Sequence, residues 1–223
     1  MFQQFKNKPE AGKELADALI DYEGRQDCLI LALPRGGVPV AYEVAKRLAL
    51  PLDVLLVRKL GVPGHEELAM GAIASGDVRV LNHDILQQLY ISPVAVEQVT
   101  TKEKKELDRR NQLYRGTLPM PDIKRKTIIV VDDGLATGAT MKAAVAALRE
   151  ASAARIIVAV PVGAVSTCHE LAELADKVIC LYRPEPFGGV GQWYADFSQT
   201  SDREVQQLLA HSKHQSINKL AKV

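Results

Sequence analysis

The sequence predicts an α/β protein in which a mostly parallel, twisted sheet is flanked by helices. Short apolar runs rich in β-branched or aliphatic residues alternate with segments of helical periodicity, a pattern typical of βα units. The 223 residues, 47% of them hydrophobic, can bury a sizeable core and fall in the size range of one domain. The predicted strands are Cys28–Leu33, Leu52–Val57, Thr127–Val131, Ile156–Val160 and Val178–Leu181.

Helices are predicted between these strands. From Gly37 to Leu50, apolar residues recur at spacings of three and four, as expected for a helix packed on a sheet, and residues 143–148 repeat the pattern. Between about residues 84 and 115 the chain is polar, with charges on most faces, which predicts one or two surface helices inserted between strands. Glu106 and Arg110 are spaced for an i,i+4 ion pair on this segment.

The composition narrows the classes of partner. Lys and Arg number 28 against 27 Asp and Glu, which gives no support for nucleic acid or a membrane surface and leaves small polar or anionic ligands open. The apolar stretches are too short to cross a bilayer, and the polar N-terminus lacks the apolar segment of a signal peptide, so a cytoplasmic protein is expected. Cys28, Cys168 and Cys180 lie in apolar or helical contexts, which predicts buried free thiols.

The segment VVDDGLATGAT, residues 130–140, combines two kinds of binding chemistry. Ligands of parallel α/β sheets bind beyond the carboxyl ends of strands, which is where Asp132 and Asp133 are expected. Residues 136–140 follow at the entrance of a helix, whose unpaired N–H groups and dipole favour a phosphate. Because the carboxylates would repel that phosphate, they should face vicinal hydroxyls or a magnesium ion. A phosphorylated sugar satisfies both parts.

Two other interpretations of the segment are weaker. A receiver domain also has a strand that ends in paired acids, but only 90 of the 223 residues follow Asp133, and no later predicted strand ends in an acceptor aspartate. A Walker-type nucleotide loop requires a lysine after its second glycine, and Gly138 is followed by alanine.

The same segment resembles the signature of type I phosphoribosyltransferases, in which an apolar strand is followed by two aspartates and a loop of small residues and threonines. The common donor of that family is phosphoribosyl pyrophosphate. The resemblance implies that Asp132 and Asp133 hold the ribose 2′- and 3′-hydroxyls and reach a magnesium cofactor through ribose or water, without direct ligation. The residues implied to clasp the 5′-phosphate are Ala136, Thr137, Gly138, Ala139 and Thr140.

The first βα connection, LPRGG at residues 33–37, is a second anion-binding candidate. Its paired glycines let backbone amides turn toward an anion, which Arg35 can also reach. Beside VVDDGLATGAT it is similar to the pyrophosphate loop of the family, formed here by Arg35, Gly36 and Gly37. That loop often carries a strained non-proline cis peptide, which is expected at Arg35–Gly36.

The segment VRKLGVPGHEELAMGAI, residues 57–73, is expected to complete a strand at Arg58–Lys59 and to continue as a turn-rich loop. Its HEELA string lacks the second histidine of a zinc-binding HExxH helix. The resemblance implies a mobile loop that closes over the donor, with Arg58 and Lys59 near the pyrophosphate. His65 and Glu66 could meet either the ligand or solvent.

Aromatic residues concentrate around and after the last predicted strand, at Tyr182, Phe187, Trp193, Tyr194 and Phe197. They could form a hydrophobic satellite, or a hood in which an aromatic face stacks on a planar acceptor.

In the second interpretation, Phe187 is the residue expected to stack. The run from Phe187 through Val190 to Asp196 is similar to the hood of hypoxanthine-type enzymes, which implies that Asp196 lies near the pyrophosphate-bound metal. Ala136 departs from the 6-oxopurine enzymes, which have an aspartate there for a purine ring nitrogen. This departure weakens a purine assignment, and the C-terminal sequence does not reproduce the uracil-binding pattern.

The resemblance covers roughly residues 25–200 and implies one domain over residues 1–223. Its parts are a core at about 25–182, a helical insertion at about 84–115, a hood at about 183–200, and a C-terminal helix and tail at 201–223. The implied activity is magnesium-dependent transfer of a 5-phosphoribosyl group to a nitrogenous base or related acceptor, with Arg35, Arg58 and Lys59 as catalytic cations. The alternative is a regulator that senses the donor with little turnover. A homodimer is the usual state of the family.

Overall fold

The computed structural model describes residues 4–220, apart from the side chains of residues 67 and 214–220, and it confirms the α/β class. Residues 1–3 of the predicted domain and 221–223 of the predicted tail lie outside the described residues. The strands are β1 (Cys28–Ala32), β2 (Leu52–Val54), β3 (Val57–Val62), β4 (His65–Ala74), β5 (Val78–Leu81), β6 (Thr127–Val131), β7 (Arg155–Val162) and β8 (Lys177–Tyr182). The α-helices are α1 (Lys8–Ala18), α2 (Gly37–Leu48), α3 (His83–Gln88), α4 (Pro93–Arg115), α5 (Ala139–Glu150), α6 (Val165–Leu174) and α7 (Asp202–Leu220).

Five parallel strands form the central sheet in the order β2-β1-β6-β7-β8. β1 and β6 are buried at every position, and both are aliphatic runs of the kind found in strands that are covered on both faces. Their register pairs Leu29 with Ile128 and Ala32 with Val131. The runs predicted at 28–33, 127–131, 156–160 and 178–181 match β1, β6, β7 and β8 to within two residues at each end.

Alternate residues of the central sheet face two separate hydrophobic clusters. Ile30 and Ile129 point into the cluster that includes residues of α1, α2 and α7, whereas Leu31 and Val130 point into the cluster with α5 and α6. All four side chains are fully buried, and burying one of this size stabilises the fold by about 1.5–3 kcal/mol. Because helices cover both faces, the carboxyl-end edge of the sheet is where the connecting loops gather.

A second sheet, antiparallel and ordered β3-β4-β5, differs from the sequence prediction. The predicted strand at 52–57 ends at Val54, and Val57 begins β3. Arg58 and Lys59 therefore lie near the start of a new strand, so the prediction that a strand ends at them was wrong. The segment expected to be a turn-rich loop after them is a hairpin of two antiparallel strands, whose register shifts around Gly61.

Hydrogen bonds and glycines explain this difference. The N–H of Leu56 donates to the Ser75 hydroxyl (3.2 Å), and the N–H of Ser75 donates to the Leu56 carbonyl (2.9 Å), so the chain leaves the central sheet here. Gly64 turns the hairpin with a φ of +79°. Gly61 lets β3 approach β4, because a Cβ there would lie 2.6 Å from the Glu66 carbonyl oxygen.

Two helices, α3 and α4, occupy the segment expected to be helical. The side chains of Asn82 and Ser92 cap them by accepting hydrogen bonds from first-turn N–H groups, as these residue types commonly do. Glu106 accepts a hydrogen bond from Arg110 (2.7 Å), which is the predicted i,i+4 ion pair, and another from Arg109 (2.8 Å).

The end of α4 is anchored on β2 by a buried ion pair. Arg115 is only 4% exposed, and its Nε lies 3.1 Å from both carboxylate oxygens of Asp53. Its guanidinium also donates to the Val54 carbonyl and the Asn111 side chain. The inserted helix is therefore tied to the central sheet by a charged group with several hydrogen-bond partners.

The N-terminal segment pairs with the region predicted as the hood. The Phe5 N–H donates to the Trp193 carbonyl (3.0 Å), and the Ala195 N–H donates to the Phe5 carbonyl (2.8 Å). Phe5, Tyr194 and Val162 belong to a third hydrophobic cluster. The aromatic residues of the hood thus pack around a residue from the other end of the chain, a contact that their own sequence does not reveal.

Two expectations from composition can be compared with the structure. The three cysteines are free; Cys28 and Cys168 are buried as predicted, whereas Cys180 is only partly buried. A hydrogen bond from Cys180 lowers the pKa of the Cys168 thiol to about 7.

Over residues 4–220, no helix has the length and apolar character needed to cross a membrane.

Candidate functional site

Asp132 and Asp133, called here the acidic pair, lie at the carboxyl end of β6 and are half-buried. The N–H of Asp133 donates to Oδ1 of Asp132 (2.8 Å). Burial and the neighbouring charge of Asp133 raise the pKa of Asp132 well above its ordinary value. Burial also raises the pKa of Asp133 to about 6, and the charge of Lys8 opposes this rise. Because burial disfavours the charged form of these carboxylates, a cation or hydroxyl donors would stabilise them.

The PRGG turn, residues 34–37, packs closely against the acidic pair. A Cβ added at Gly36 would overlap the carboxylate of Asp133, and one at Gly37 would lie 2.6 Å from the Val131 carbonyl oxygen. Glycine at both positions is what lets the two loops meet. The structure therefore brings together the predicted pyrophosphate loop and the predicted ribose-binding carboxylates.

The cis peptide bond of this turn lies at Pro34–Arg35, one residue before the predicted position, so the prediction of Arg35–Gly36 was wrong. Gly36 already has helical dihedral angles (φ −59°, ψ −36°), and Gly37 is the first residue of α2. Because the helical backbone begins at Gly36, the irregular peptide precedes it. The partly exposed Arg35 side chain lies 4.0 Å from the carboxylate of Asp202 on α7.

The predicted phosphate loop, residues 136–140, called below the phosphate loop, leads into α5 and is mostly exposed. Gly138 has a left-handed backbone (φ +69°) at the N-cap, and a Cβ there would lie 2.5 Å from Cγ2 of Thr167. The Thr167 hydroxyl donates to the Ala136 carbonyl (2.5 Å), which ties the loop to α6. Because Ala139 and Thr140 are exposed at the start of the helix, the first-turn N–H groups and the positive end of the dipole are open to an anion.

The predicted catalytic cations have different environments. Nε of Arg58 donates to Glu103 of α4 (2.8 Å), while the neighbouring Lys59 is partly buried on β3. Arg58 lines a cavity of about 30 Å³ together with Pro34 of the PRGG turn and Thr140 of the phosphate loop. The structure thus places Arg58 beside both predicted anion-binding turns, with its charge neutralised by Glu103.

Arg110 of α4 lines the same cavity, although sequence analysis assigns it only a surface ion pair. Its side chain is 35% exposed and donates to Glu106 (2.7 Å). The i,i+4 spacing predicts that pair, but nothing local in the sequence shows that this turn of α4 packs beside Pro34. The position of Arg110 follows from tertiary packing alone.

The hood region borders the acidic pair directly. The Tyr194 hydroxyl donates to the Asp133 carbonyl (2.6 Å), and burial raises the pKa of Tyr194 strongly. Val190 packs on Gly134, where an added Cβ would lie 2.6 Å from a Val190 methyl group. Phe187 is partly buried and stacks on Trp193, with 6.5 Å between ring centroids. The aromatic residues therefore form a hydrophobic cluster, and Tyr194 among them contacts the backbone of the acidic pair.

Asp196 lies on the Lys8 side of the hood region. It is exposed, and hydrogen bonds from Ser198, whose N–H is 2.9 Å away, lower its pKa. Lys8 is only 6% exposed, donates to the Ser198 carbonyl (2.7 Å), and lies 4.2 Å from the centre of the Phe197 ring. Lys8 is a second residue that sequence analysis missed, because its neighbours come from the opposite end of the chain.

His65 and Glu66 are exposed at the start of β4, beside the hairpin turn. Across the described part of the chain, no three His, Cys, Asp or Glu side chains are grouped so that they could hold a metal ion. Asp132 and Asp133 offer a pair of hard oxygen donors, the kind that magnesium accepts.

Comparison with known proteins identifies relatives of the chain. The family model of the phosphoribosyl transferase domain matches residues 2–185. Two Mycobacterium tuberculosis proteins, MT0597 of strain CDC 1551 and Rv0571c of strain H37Rv, are each 45% identical over 201 residues, and their names assign them provisionally as phosphoribosyl transferases. These matches cover 90% of this chain and 45% of each relative, so the chain spans about half the length of the curated relatives it matches.

A solved structure is similar over nearly its whole length. The crystal structure of TT1426 from Thermus thermophilus superposes with a TM-score of 0.86 at 38% sequence identity. The superposition covers 94% of this chain and 99% of that chain. The arrangement of the central sheet, the hairpin sheet and the helices is therefore common to both proteins.

Proposed function

The chain belongs to the phosphoribosyl transferase family, and on that premise we propose that it transfers a 5-phosphoribosyl group from phosphoribosyl pyrophosphate to a nitrogen atom of a small planar acceptor, releasing pyrophosphate. One observation carries the proposal: the acidic pair lies against the glycines of the PRGG turn, and the exposed N-terminus of α5 follows it. A sugar with a phosphate at one end and a diphosphate at the other matches an acidic centre flanked by two anion-binding turns.

The acidic pair would hold the ribose. Ionised carboxylates only accept hydrogen bonds, and vicinal hydroxyls are donors at matching spacing. Burial raises the pKa of both Asp132 and Asp133, so donors that arrive with the sugar would stabilise charges that the protein alone solvates poorly. The 5′-phosphate would lie on residues 136–140, where N–H groups and threonine hydroxyls can donate to it.

The cationic residues would act on the departing pyrophosphate. The transition state should resemble an oxocarbenium ion at C1′, with negative charge building on the leaving group, so positive groups aimed at that charge accelerate the reaction. Arg35 and Arg58 lie near Asp202 and Glu103. A diphosphate carries more charge than one carboxylate and would compete for these guanidinium groups. Lys59 would add a third positive charge.

Magnesium fits the donors at this edge of the sheet. The ion prefers oxygen ligands and keeps several of its waters, and the acidic pair presents two half-buried carboxylates. We expect Asp132 and Asp133 to reach it through ribose hydroxyls or water. When bound, the ion would neutralise charge on the diphosphate.

The acceptor would lie beneath the hood, because Tyr194 and Val190 both contact the backbone that carries the acidic pair. Phe187 is the residue expected to stack on a planar ring, using the part of its side chain that Trp193 leaves open. Ala136 offers a methyl group and a carbonyl that already accepts from Thr167. It cannot supply the acid that 6-oxopurine enzymes direct at a ring nitrogen, so an acceptor that needs no acid at this position is favoured.

The proposal can be tested by incubating the protein with phosphoribosyl pyrophosphate, magnesium and a panel of bases while pyrophosphate release is followed. We expect release with at least one acceptor. Donor binding without release for any base would support the alternative, a donor-sensing regulator with little turnover. Failure to bind the donor at all would contradict both.

The site assignment needs a separate measurement. Replacing Asp132 and Asp133 together by Asn should weaken donor binding at least tenfold, about 1.4 kcal/mol, as measured by calorimetry. A matched control replaces Asp17 and Asp21 by Asn, because it removes the same charge from exposed positions that are far from β6 in sequence. Equal affinity in the two double variants would contradict the assignment.

A further inference from the structure

Arg110 stands apart from the other charged residues of α4 by its position. Its side chain lines the cavity formed with Pro34 of the PRGG turn, Thr140 of the phosphate loop and Arg58 of β3. The neighbouring Arg109 is paired with the same acid but does not line this cavity, and its side chain is 59% exposed. The helix therefore turns one of two consecutive arginines toward the predicted anion-binding turns.

Arg110 can leave its ion pair with Glu106 with little loss of stability. Oε1 of Glu106 accepts from Arg110 (2.7 Å), but Glu106 also accepts two hydrogen bonds from Arg109, at 2.8 Å and 3.0 Å. If Arg110 moved to another anion, Glu106 would keep its bidentate partner. A partly exposed pair of this kind contributes little to stability. Arg110 is thus held near the turns by an interaction that is easily replaced.

A second arginine, Arg35 of the PRGG turn, shares with Arg110 an electrostatic effect on Tyr114 of α4. Nη1 of Arg35 lies 4.0 Å from Oδ1 of Asp202, and the Tyr114 hydroxyl donates to that oxygen. Burial, followed by the hydrogen bond to Asp202, raises the pKa of Tyr114 to about 12, while the charges of Arg110 and Arg35 oppose the rise. Both guanidinium groups are therefore close enough to Tyr114 to act on it electrostatically.

Two arginines line the cavity, Arg58 from β3 and Arg110 from α4, and a third, Arg35, belongs to the PRGG turn whose Pro34 also lines it. Each arginine forms an ion pair with a carboxylate of α4 or α7. The cavity holds about 30 Å³, roughly room for one water molecule, so a diphosphate would lie at its mouth. Guanidinium groups on neighbouring elements suit a diphosphate, because each can donate two parallel hydrogen bonds to its oxygens.

We propose that Arg110 of the inserted helix is a catalytic residue that leaves Glu106 to contact the departing pyrophosphate. This inference rests on the proposed function. It gives the insertion a direct part in the site, beyond its predicted role as a solvated surface helix. It also explains why α4 is anchored firmly at Arg115, five residues beyond Arg110, since a group that stabilises a transition state must be held in position.

The test compares Arg110→Gln with Arg109→Gln. Each substitution removes one positive charge and one partner of Glu106 from the same turn of α4, but only the first removes a cavity residue. Calorimetry would measure binding of phosphoribosyl pyrophosphate with magnesium, and of ribose 5-phosphate, which lacks the diphosphate. We expect Arg110→Gln to weaken donor binding at least tenfold and ribose 5-phosphate binding less than twofold. Arg109→Gln should change neither by more than twofold.

Further outcomes distinguish a failure of the Arg110 inference from a failure of the proposed function. Arg110→Lys keeps a point charge and should recover part of the lost donor affinity, which a merely structural loss would not show. Equal donor affinity in Arg110→Gln and Arg109→Gln would overturn the inference while leaving the proposed function intact. Equal losses for the donor and for ribose 5-phosphate would also overturn it, because the contact would not be with the diphosphate. A wild-type protein that does not bind the donor would overturn the proposed function and this inference with it.

Discussion

The PRGG turn can contact the acidic pair only because residue 36 is glycine and has no side chain. A methyl group at Gly36 would overlap the Asp133 carboxylate, so Gly36→Ala must displace either the turn or the acid. We expect donor affinity to fall at least tenfold, about 1.4 kcal/mol. Gly189→Ala is the control, because no atom lies within 4 Å of a Cβ there. Calorimetry that gives both variants the same donor affinity would contradict a close fit at Gly36.

The ionised carboxylate of Asp133 should destabilise the ligand-free protein at neutral pH. Its pKa is raised from 3.8 to about 6, so between these values the native state binds more protons than the unfolded state. Stability therefore falls as pH rises through this window. We expect Asp133→Asn to be more stable than wild type at pH 7.5, by on the order of 1 kcal/mol, and the difference to shrink by pH 5. Urea unfolding at both values measures this.

The exposed Asp21→Asn is the control for that measurement, and its stability should follow wild type at both pH values. If Asp133→Asn were less stable than wild type by the same amount at pH 7.5 and at pH 5, burial would not be destabilising the ionised carboxylate. Together with the donor-binding test, the comparison separates what Asp133 does for the ligand from what it costs the fold.

Single site residues could be predicted wherever the chemistry is local in sequence. Asp132, Asp133 and the loop after them are adjacent, so a strand, two acids and a helix start predict their own geometry. Lys8 and Arg110 could not be found this way. Lys8 donates to Ser198, and Arg110 lines a cavity with Pro34, only because distant elements pack together. No spacing rule within one element describes such contacts.

At the scale of elements, α4 depends on its buried end. Arg115→Met would leave Asp53 buried without its cation, since Arg115 supplies two bonds to that carboxylate. Breaking a buried pair in this way costs about 3–5 kcal/mol, measurable by urea unfolding. Adding Asp53→Asn should recover part of the loss, because no unpaired charge then remains.

Arg109→Gln is the matched control on the same helix. Its pair with Glu106 is exposed, so we expect a change within about 0.5 kcal/mol. A loss for Arg115→Met no larger than that of Arg109→Gln would mean that α4 is held mainly by its apolar contacts.

The elements were predictable to different degrees, and their composition explains why. β1, β6 and β7 are nearly continuous aliphatic runs, because helices cover both of their faces. The hairpin sheet has Arg58, Lys59 and glycines within its strands and is only partly buried, so its hydrophobic pattern is broken. The Pro63–Gly64 dipeptide between two short runs was the available signal, since such pairs favour turns.

At the scale of the whole molecule, the two sheets should differ in stability against local opening. β1 and β6 are buried throughout, whereas β3 and β5 are partly exposed. Amides of β1 and β6 should therefore exchange with solvent only on global unfolding, and those of the hairpin sheet sooner. Hydrogen exchange followed by mass spectrometry measures both. Faster exchange in β1 and β6 than in the hairpin sheet would contradict this ranking.

Donor binding should slow the exchange of the central sheet. A ligand at a hundred times its dissociation constant stabilises the native state by about 2.7 kcal/mol, which is roughly a hundredfold in the exchange rate of amides that open globally. Unchanged rates in the presence of donor would show that the native state does not bind it preferentially.

The pairing of Phe5 with Tyr194 has a consequence for how the protein is made. The Gln4 side chain also donates to the Gln192 carbonyl, 188 residues away in sequence, so these contacts close a loop that spans most of the chain. Closing so long a loop is slow compared with forming neighbouring βα units. A ribosome releases Phe5 long before it has synthesised Tyr194. The nascent chain would therefore keep the binding edge of the sheet uncovered until Tyr194 and its neighbours are synthesised and pair with Phe5.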